Sequence, residues 1–358
     1  MNIKNIFKNP DLEKDVSDVV MLNLPWNLLK NKTVLISGAT GLIGSFLIDV
    51  LLKRNFEYSM NCQIYALGRN WDKAQKRFGN LIDGKNLIFI PCDIDKTLKG
   101  INIPQVDFVL HLASNTHPVA YATDPIGTIT TNVIGTKNML DYCVTNSVMR
   151  FAFASSVEIY GENRGDVDKF AEDYCGYIDC NSLRAGYPES KRCGEALCNA
   201  YIQQAGLNIV IPRFSRTYGP TMLLNDSKAI SQFIIRAIHG NDIVLKSAGT
   251  QHYSFSYVAD AVSGLLTILL KGKCGEAYNI SADSSDIYLK DLAALIAENC
   301  GKNVIFAQPD SVEKIGYSKA TKACLDSSKL QSLGWHAQYS ISEGIQRTIR
   351  ILHDSMNK

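Results

Sequence analysis

The run Tyr187-Pro188-Glu189-Ser190-Lys191 sets a phenol and an ammonium four residues apart. On a helix that spacing puts both side chains on one face. An ammonium beside a phenol stabilises the phenolate, so the pair predicts a tyrosine whose pKa falls toward the working range and which removes a proton from an alcohol. Tyr-x-x-x-Lys alone arises readily by chance. It gains meaning from Ser155-Ser156 upstream, at the end of an apolar run, where the Ser156 hydroxyl can bond the same alcohol oxygen. Together these residues point to oxidation of a carbinol, in which the proton and a hydride leave together.

A hydride needs an acceptor, and the chain offers a place for one near its start. Gly38-Ala39-Thr40-Gly41-Leu42-Ile43-Gly44 follows the apolar run Thr33–Ser37 and opens a helical pattern. Glycine allows the tight turn and lets backbone N–H groups approach a pyrophosphate, while the helix N-terminus favours an anion. Gly38, Thr40, Gly41, Leu42, Ile43 and Gly44 are therefore the expected dinucleotide cradle. Asp93-Ile94 after the third strand are placed to hold the adenine, and Leu112-Ala113-Ser114 after the fourth to line the riboses. Tyr187 and Lys191 are expected to border the cofactor as well. The second strand ends at Ala66-Leu67-Gly68-Arg69-Asn70 without the acid that binds the ribose 2′-OH of NAD. Arg69 reads either as a partner for the 2′-phosphate of NADP or as a solvated loop arginine, so the choice between NAD and NADP stays open.

Those residues must be carried by a regular frame. Apolar runs read as strands at Thr33–Ser37, Cys62–Leu67, Leu87–Ile90, Phe108–Leu112, Arg150–Ala154 and Leu207–Pro212. Helical patterns lie between, at Leu42–Arg54, Gly127–Asn146 and Tyr187–Gln204. The strands lack polar alternation, as expected when both faces are covered. This predicts an α/β chain with a Rossmann-type, doubly wound parallel sheet and a smaller C-terminal substrate lobe. Residues 1–31 read as an N-terminal extension, with a short amphipathic helix over Asp11–Leu22 bracing the body. Residues 32–220 read as the dinucleotide-binding domain, with 256–281 returning to it. Residues 221–255 and 282–358 form the substrate-binding lobe. His111, on an apolar strand, reads as a core histidine, and Asn132 as structural.

Composition narrows the class. A formal net charge of +2 gives no bulk field for nucleic acid or an anionic membrane. The longest apolar runs are too short to span a bilayer, and Met1–Asn9 lacks the apolar core of a signal peptide. The cysteines show neither metal-ligand spacing nor Cys-x-x-Cys, so reduced thiols in the cytoplasm are expected, without metal.

The motifs together resemble the nucleotide-sugar epimerase/dehydratase family, the extended branch of the short-chain dehydrogenases/reductases, from about Lys32 to Leu352. The resemblance rests on the glycine loop, His111-Leu112-Ala113-Ser114, Asn132, Ser155 to Gly161, the Tyr187/Lys191 pair, Arg213, Tyr218-Gly219-Pro220, Tyr257 to Ala261 and Leu333-Gly334-Trp335. Locally the chain is most similar to UDP-glucuronate decarboxylases and, after them, to NDP-sugar 4,6-dehydratases. The resemblance implies a tightly held NAD or NADP that is recycled in place, and a nucleotide-diphosphate hexose oxidised at C4. The 4-keto intermediate is then dehydrated, decarboxylated or epimerised, for surface-polysaccharide sugar synthesis. It also implies a homodimer through a four-helix interface. Tyr187 would be the base at O4, Lys191 its modulator and Ser156 the O4 hydrogen bonder, while Glu158 acts next to C5 and C6. An NADPH-dependent NDP-4-keto-sugar reductase is the alternative, which Arg69 favours. A non-catalytic scaffold of this kind usually lacks the Tyr or the Lys of the motif, and both Tyr187 and Lys191 are present.

The chain departs from the decarboxylase pattern at three positions. Tyr253 stands where an arginine helps bind substrate. Arg216 stands where the family has asparagine. Val157 stands where decarboxylases carry a small hydroxyl and dTDP-glucose dehydratases an acid. Arg216 and Tyr253 are kept as substrate-binding candidates, Arg216 either as a bidentate partner for the diphosphate or as a salt bridge within the smaller lobe.

Overall fold

The computed structural model describes residues 9–82, 84–96, 98, 100–101, 103–116, 118–309 and 320–356. Seven strands form the main sheet: β1 (Thr33–Ser37), β2 (Gln63–Gly68), β3 (Leu87–Pro91), β4 (Phe108–His111), β5 (Arg150–Phe153), β7 (Ile209–Phe214) and β11 (Ala277–Ile280). Their order is β11-β7-β5-β4-β1-β2-β3, with every pairing parallel, and a two-residue strand, β6 (Ser155–Ser156), adds to β7. The order reverses between β1 and β4. In a doubly wound sheet the crevice beyond the carboxyl ends of the strands at that reversal is where ligands bind.

Helices cover the sheet. Among them are α1 (Pro10–Val20), α2 (Leu42–Tyr58), α3 (Trp71–Phe78), α4 (Pro118–Thr123), α5 (Pro125–Thr130), α6 (Thr136–Thr145) and α7 (Gly186–Ala205). The helix expected over Gly127–Asn146 is interrupted: a π turn, Thr131–Gly135, joins α5 to α6. Hydrophobic spacing does not foresee that turn. It places Asn132 in the core, where the side chain accepts from Ser114 Oγ at 2.7 Å and donates to Ser190 Oγ at 2.9 Å. The helix α7 lies close on β5 because Gly194 faces the Phe153 ring, and a Cβ there would sit 2.3 Å from the ring. The same approach brings Lys191 Nζ to 5.0 Å from the Phe153 ring centroid.

Beyond β7 the chain builds a second, smaller sheet. Its members are β8 (Arg216–Tyr218), β10 (His252–Tyr257), β12 (Asp286–Tyr288) and β14 (Lys322–Ala323). The pair β9 (Ile243–Leu245) and β13 (Val304–Phe306) stands apart from it. Later helices are α8 (Ala229–Ile238), α9 (Val258–Lys271), α10 (Leu289–Cys300), α11 (Ser328–Gln331) and α12 (Ile341–Met356). No helix among the described residues is long and apolar enough to cross a membrane.

The short helix expected near the N-terminus is α1, and its chemistry explains where it starts. Pro10 occupies the first turn and the Asn9 side chain accepts from the backbone N–H of Asp11 and Leu12. Leu12, Val16, Val19 and Val20 are buried, each contributing roughly 2 kcal/mol. Asp15, fully buried on the same face, accepts from Tyr257 Oη at 2.6 Å, Tyr339 Oη at 3.1 Å and Arg347 Nε at 2.7 Å. One carboxylate thus ties α1 to the end of β10 and to α12.

Candidate active site

Every residue singled out from the sequence as cofactor-, substrate- or reaction-bearing lines one cavity of about 830 Å³ at the carboxyl end of the main sheet. The glycine loop forms one wall. Gly38 has φ +71° and sits so near the β4 turn that a Cβ would lie 2.7 Å from Ala113 N. A Cβ on Gly44 would lie 2.5 Å from the Gly38 carbonyl. The loop therefore packs tightly against the first turn of α2, whose start carries no side-chain cap. Uncapped N–H groups at a helix start with no Cβ in the way suit a pyrophosphate. The residues present thus fit a dinucleotide: glycine loop on β1, Arg69 beyond β2, Asp93 and Ile94 beyond β3, and Leu112, Ala113 and Ser114 beyond β4.

Tyr187 is in the first turn of α7 and Lys191 one turn later, both buried. The Lys191 ammonium donates to the Ala154 carbonyl at 2.8 Å, which fixes it under the end of β5. Burial lowers its pKa to about 8, with the Glu195 carboxylate partly opposing. The fall expected for Tyr187 is reversed in the protein itself: burial pushes its phenol up to about 12. The Ser156 hydroxyl pulls the other way, as do Arg184 and Ser114, while the Glu158 charge adds to the rise. Desolvation of the phenolate outweighs those neighbours because the ring is enclosed, stacked on Tyr121 with centroids 4.9 Å apart. Ser156 caps the short 3₁₀ turn Val157–Tyr160 by accepting from Glu158 N at 3.2 Å, so Ser156 and Glu158 are set as a unit.

Glu158 is held by two arginines. Arg184 Nη2 donates to one carboxylate oxygen at 2.6 Å and Arg216 Nη2 to the other at 3.1 Å. Burial raises the Glu158 pKa, but the two guanidinium groups pull harder and the net shift is downward, so it is ionised at neutral pH. Arg216 comes from β8 and lies flat on Tyr253 of β10, Cζ 3.5 Å from the ring centroid. Its partner is therefore the carboxylate beyond β6, in place of the lobe salt bridge expected as one alternative. Arg184 lies over the Tyr121 ring at 4.7 Å. Three of the guanidinium nitrogens, Arg184 Nε and Nη1 and Arg216 Nη1, are buried and meet no acceptor among the described residues. Two positive charges face one negative charge, with donors left over.

His111 and Asn132 lie outside the cavity lining. His111 is bonded on both ring nitrogens, to Ser37 Oγ at 2.7 Å and Thr136 Oγ1 at 3.1 Å. Burial lowers its pKa to about 3, so it is a neutral core residue. Sequence reasoning missed Arg184, Tyr121 and Lys73, which line the cavity too. Arg184 could have been found as a cation one turn ahead of Tyr187. Tyr121 sits in a stretch without periodicity and gave no signal.

The NAD dependent epimerase/dehydratase family model matches residues 34–281. The UDP-glucuronic acid decarboxylase 1 of Xenopus tropicalis is 31% identical over 323 residues, covering 89% of this chain and 71% of that protein. Among solved structures, the dTDP-glucose 4,6-dehydratase of Streptomyces venezuelae with NAD bound superposes with a TM-score of 0.76 at 23% identity, covering 91% of this chain and 98% of that one. The UDP-glucuronic acid 4-epimerase of Bacillus cereus, in complex with UDP-glucuronic acid and NAD, gives 0.75 at 22%, covering 90% and 99%. With the fold, the glycine cradle and the Tyr187/Lys191 pair in one cavity, the chain belongs to the NAD-dependent epimerase/dehydratase family of sugar-nucleotide enzymes.

Proposed function

We propose that this chain oxidises C4 of a nucleoside-diphosphate hexuronate and releases the C6 carboxylate as carbon dioxide from the 4-keto sugar. The observation that carries this reading is the Glu158 cluster. Two guanidinium groups around one carboxylate, with three buried nitrogens lacking acceptors among the described residues, call for an anion on the substrate. A sugar carboxylate near Tyr187 meets that demand, whereas a neutral hydroxymethyl group does not.

In this scheme the Tyr187 oxygen takes the proton of the C4 hydroxyl and Ser156 bonds the same oxygen. Bound NAD(P)⁺ supplies the hydride acceptor and a positive charge that offsets burial of the Tyr187 phenolate. A carboxylate on C6 of a 4-keto sugar is β to the ketone, so the C5–C6 electron pair moves onto O4 as carbon dioxide leaves. C5 then takes a proton from water, which restores the 4-ketone, and the proton on Tyr187 returns to O4 as C4 is reduced. A substrate carboxylate that draws Arg216 away from Glu158 frees one Glu158 oxygen to handle the proton at C5. The buried Lys191, held by the Ala154 carbonyl at 2.8 Å one turn after Tyr187, would supply positive charge on the same side of α7 as the phenol.

The remaining expectations fit this reading. Ile126 (76% exposed), Ile134 and Leu183 present apolar surface on and beside the helices α5 to α7, which favours a homodimer over that face. The pentose product would enter surface-polysaccharide synthesis in the cytoplasm. Reduction of a preformed 4-keto sugar by NADPH is a second reading, favoured by the position of Arg69 in the cavity. Incubation with UDP-glucuronate, UDP-glucose and a 4-keto sugar separates them. Carbon dioxide from the uronate with no net change in dinucleotide supports the first reading. NADPH consumption with the keto sugar alone supports the second.

A further inference from the structure

A second, smaller cavity of about 50 Å³ shares two lining residues with the main one, Glu158 and Arg184. These two are bonded to each other at 2.6 Å, so their ion pair is the partition between the cavities. The rest of the small cavity's wall includes Glu162, Tyr177, Asp179 and Ser182. Glu162, Tyr177 and Asp179 are exposed, so this cavity opens to solvent. The side chains of Glu158 and Arg184 are only 18% and 12% exposed, as befits the inner end of such an opening.

The opening has fixed walls. Glu162 and Tyr177 face each other as an antiparallel bridge, with the Glu162 N–H donating to the Tyr177 carbonyl at 2.8 Å. Gly161, at φ +69°, permits that approach, since a Cβ there would lie 2.1 Å from the same carbonyl. Arg192 on α7 fastens both segments, donating to the carbonyls of Ile159 at 2.7 Å and Gly176 at 3.0 Å. Ser182 Oγ donates to the Asp179 carbonyl at 3.1 Å, just before the turn Leu183–Ala185 that carries Arg184. The space has room for about three waters, among carboxylate and hydroxyl groups able to bond them.

We propose that this cavity is a water port, through which the Glu158 carboxylate takes up protons from solvent while sugar nucleotide and dinucleotide fill the main cavity. The proposal rests on the reading that Glu158 handles the proton at C5. Decarboxylation consumes one proton for each carbon dioxide released. A water in the port gives that proton to Glu158, and solvent neutralises the hydroxide left behind. The carboxyl group passes the proton to C5 as the enolate electron pair forms the new C5–H bond, which restores the carboxylate. Burial favours a protonated Glu158, and the two guanidinium groups oppose it. A substrate carboxylate that draws Arg216 away shifts that balance toward uptake of the proton, so uptake is tied to an occupied site.

Ile178→Trp and Ser182→Phe, made separately, each place bulk in the port at a residue that does not line the main cavity. Turnover of UDP-glucuronate is followed by carbon dioxide release and by the absorbance of reduced dinucleotide, in light and heavy water. An unchanged dinucleotide affinity shows that a variant is folded, and the second variant serves where the first is not. We expect kcat to fall about tenfold with KM within about twofold of wild type, the pattern of a slowed proton transfer after binding. The solvent isotope effect should grow, and reduced dinucleotide should accumulate, because C4 is still oxidised and the sugar waits for its proton. Unchanged turnover and isotope effect in a folded variant, or slower turnover with no reduced dinucleotide accumulating, would overturn the port alone. A wild type that releases no carbon dioxide from UDP-glucuronate would overturn the decarboxylation itself, before any variant is compared.

Discussion

Arg216 lies on the face of Tyr253, its Cζ 3.5 Å from the ring centroid, and reaches past it to the Glu158 carboxylate at 3.1 Å. Both residues are departures from the decarboxylase pattern, and they meet. An arginine usual on the strand of Tyr253 is absent, and an arginine unusual on β8 is present, supported by the aromatic ring that took its place. Stacking on tyrosine restrains the guanidinium plane and keeps its remaining N–H groups directed rather than solvated. The two positions adjoin in the second sheet, since β8 and β10 are neighbours with Phe255 opposite Arg216.

Arg216→Ala should raise KM for a hexuronate about thirtyfold, from loss of roughly 2 kcal/mol of charge-assisted contact, with a smaller effect on a neutral hexose. The remaining Arg184–Glu158 pair is neutral and gives no net attraction. Tyr253→Leu, which removes the stacking face together with the hydroxyl that donates to the Ala320 carbonyl at 2.7 Å, should produce a weaker version of the same change, about fivefold. Steady-state kinetics on both sugars checks this. An equal loss for charged and neutral sugars would mean that Arg216 serves the fold or the diphosphate.

Tyr187→Phe should lower turnover by about 10³-fold or more, the scale of losing a general acid–base group. Dinucleotide binding should persist, because the glycine cradle does not depend on the phenol. Product formation and a calorimetric titration on the same preparation give both quantities. Near-normal turnover in this variant would remove Tyr187 from the chemistry.

Lys191 makes stability depend on pH in a definite direction. Its pKa is about 8 in the folded chain and about 10.5 when unfolded, so between those values the unfolded chain holds more protons. Stability from this group is therefore lowest below pH 8 and rises toward pH 10.5, by about 3 kcal/mol in total. Urea unfolding of wild type and Lys191→Met across pH 7 to 10.5 isolates the contribution, since other titrating groups are shared. The wild type should gain on the variant as pH rises; a constant difference would mean that the ammonium is not desolvated.

Asp15→Ala should destabilise the protein by about 3 kcal/mol or more, because it leaves Arg347 without its buried partner and the buried Tyr257 hydroxyl without an acceptor. Urea denaturation followed by circular dichroism measures it. A loss below about 1 kcal/mol, the level of an exposed ion pair, would show that α1 is not tied down by this carboxylate.

The parts of this molecule that are local in sequence were legible there. Six of the seven long strands of the main sheet announce themselves as short apolar runs, and the glycine loop and the Tyr187/Lys191 pair each span fewer than two helical turns. The cavity brings together every residue those motifs named. What the sequence did not show depends on separation and environment. Glu158 and Arg184 are 26 residues apart, and Glu158 and Arg216 58 apart, so no spacing rule links them. Tyr121 reaches Tyr187 from a stretch without periodicity. The Tyr187 pKa was read from its neighbour Lys191, whereas burial dominates, and burial is a property of the folded environment. The π turn at Asn132 exists for side-chain bonds to Ser114 and Ser190, which no hydrophobic period encodes.

The central claim is that C4 is oxidised and restored on the same sugar while the C6 carboxylate leaves. A UDP-glucuronate carrying deuterium at C4 and carbon-13 at C6, incubated with the purified protein and a trace of dinucleotide, tests both halves at once. The account predicts labelled carbon dioxide, a pentose product that keeps its deuterium at C4, and no net change in the dinucleotide. Carbon-13 retained in the sugar, or deuterium lost to the dinucleotide pool, would contradict it.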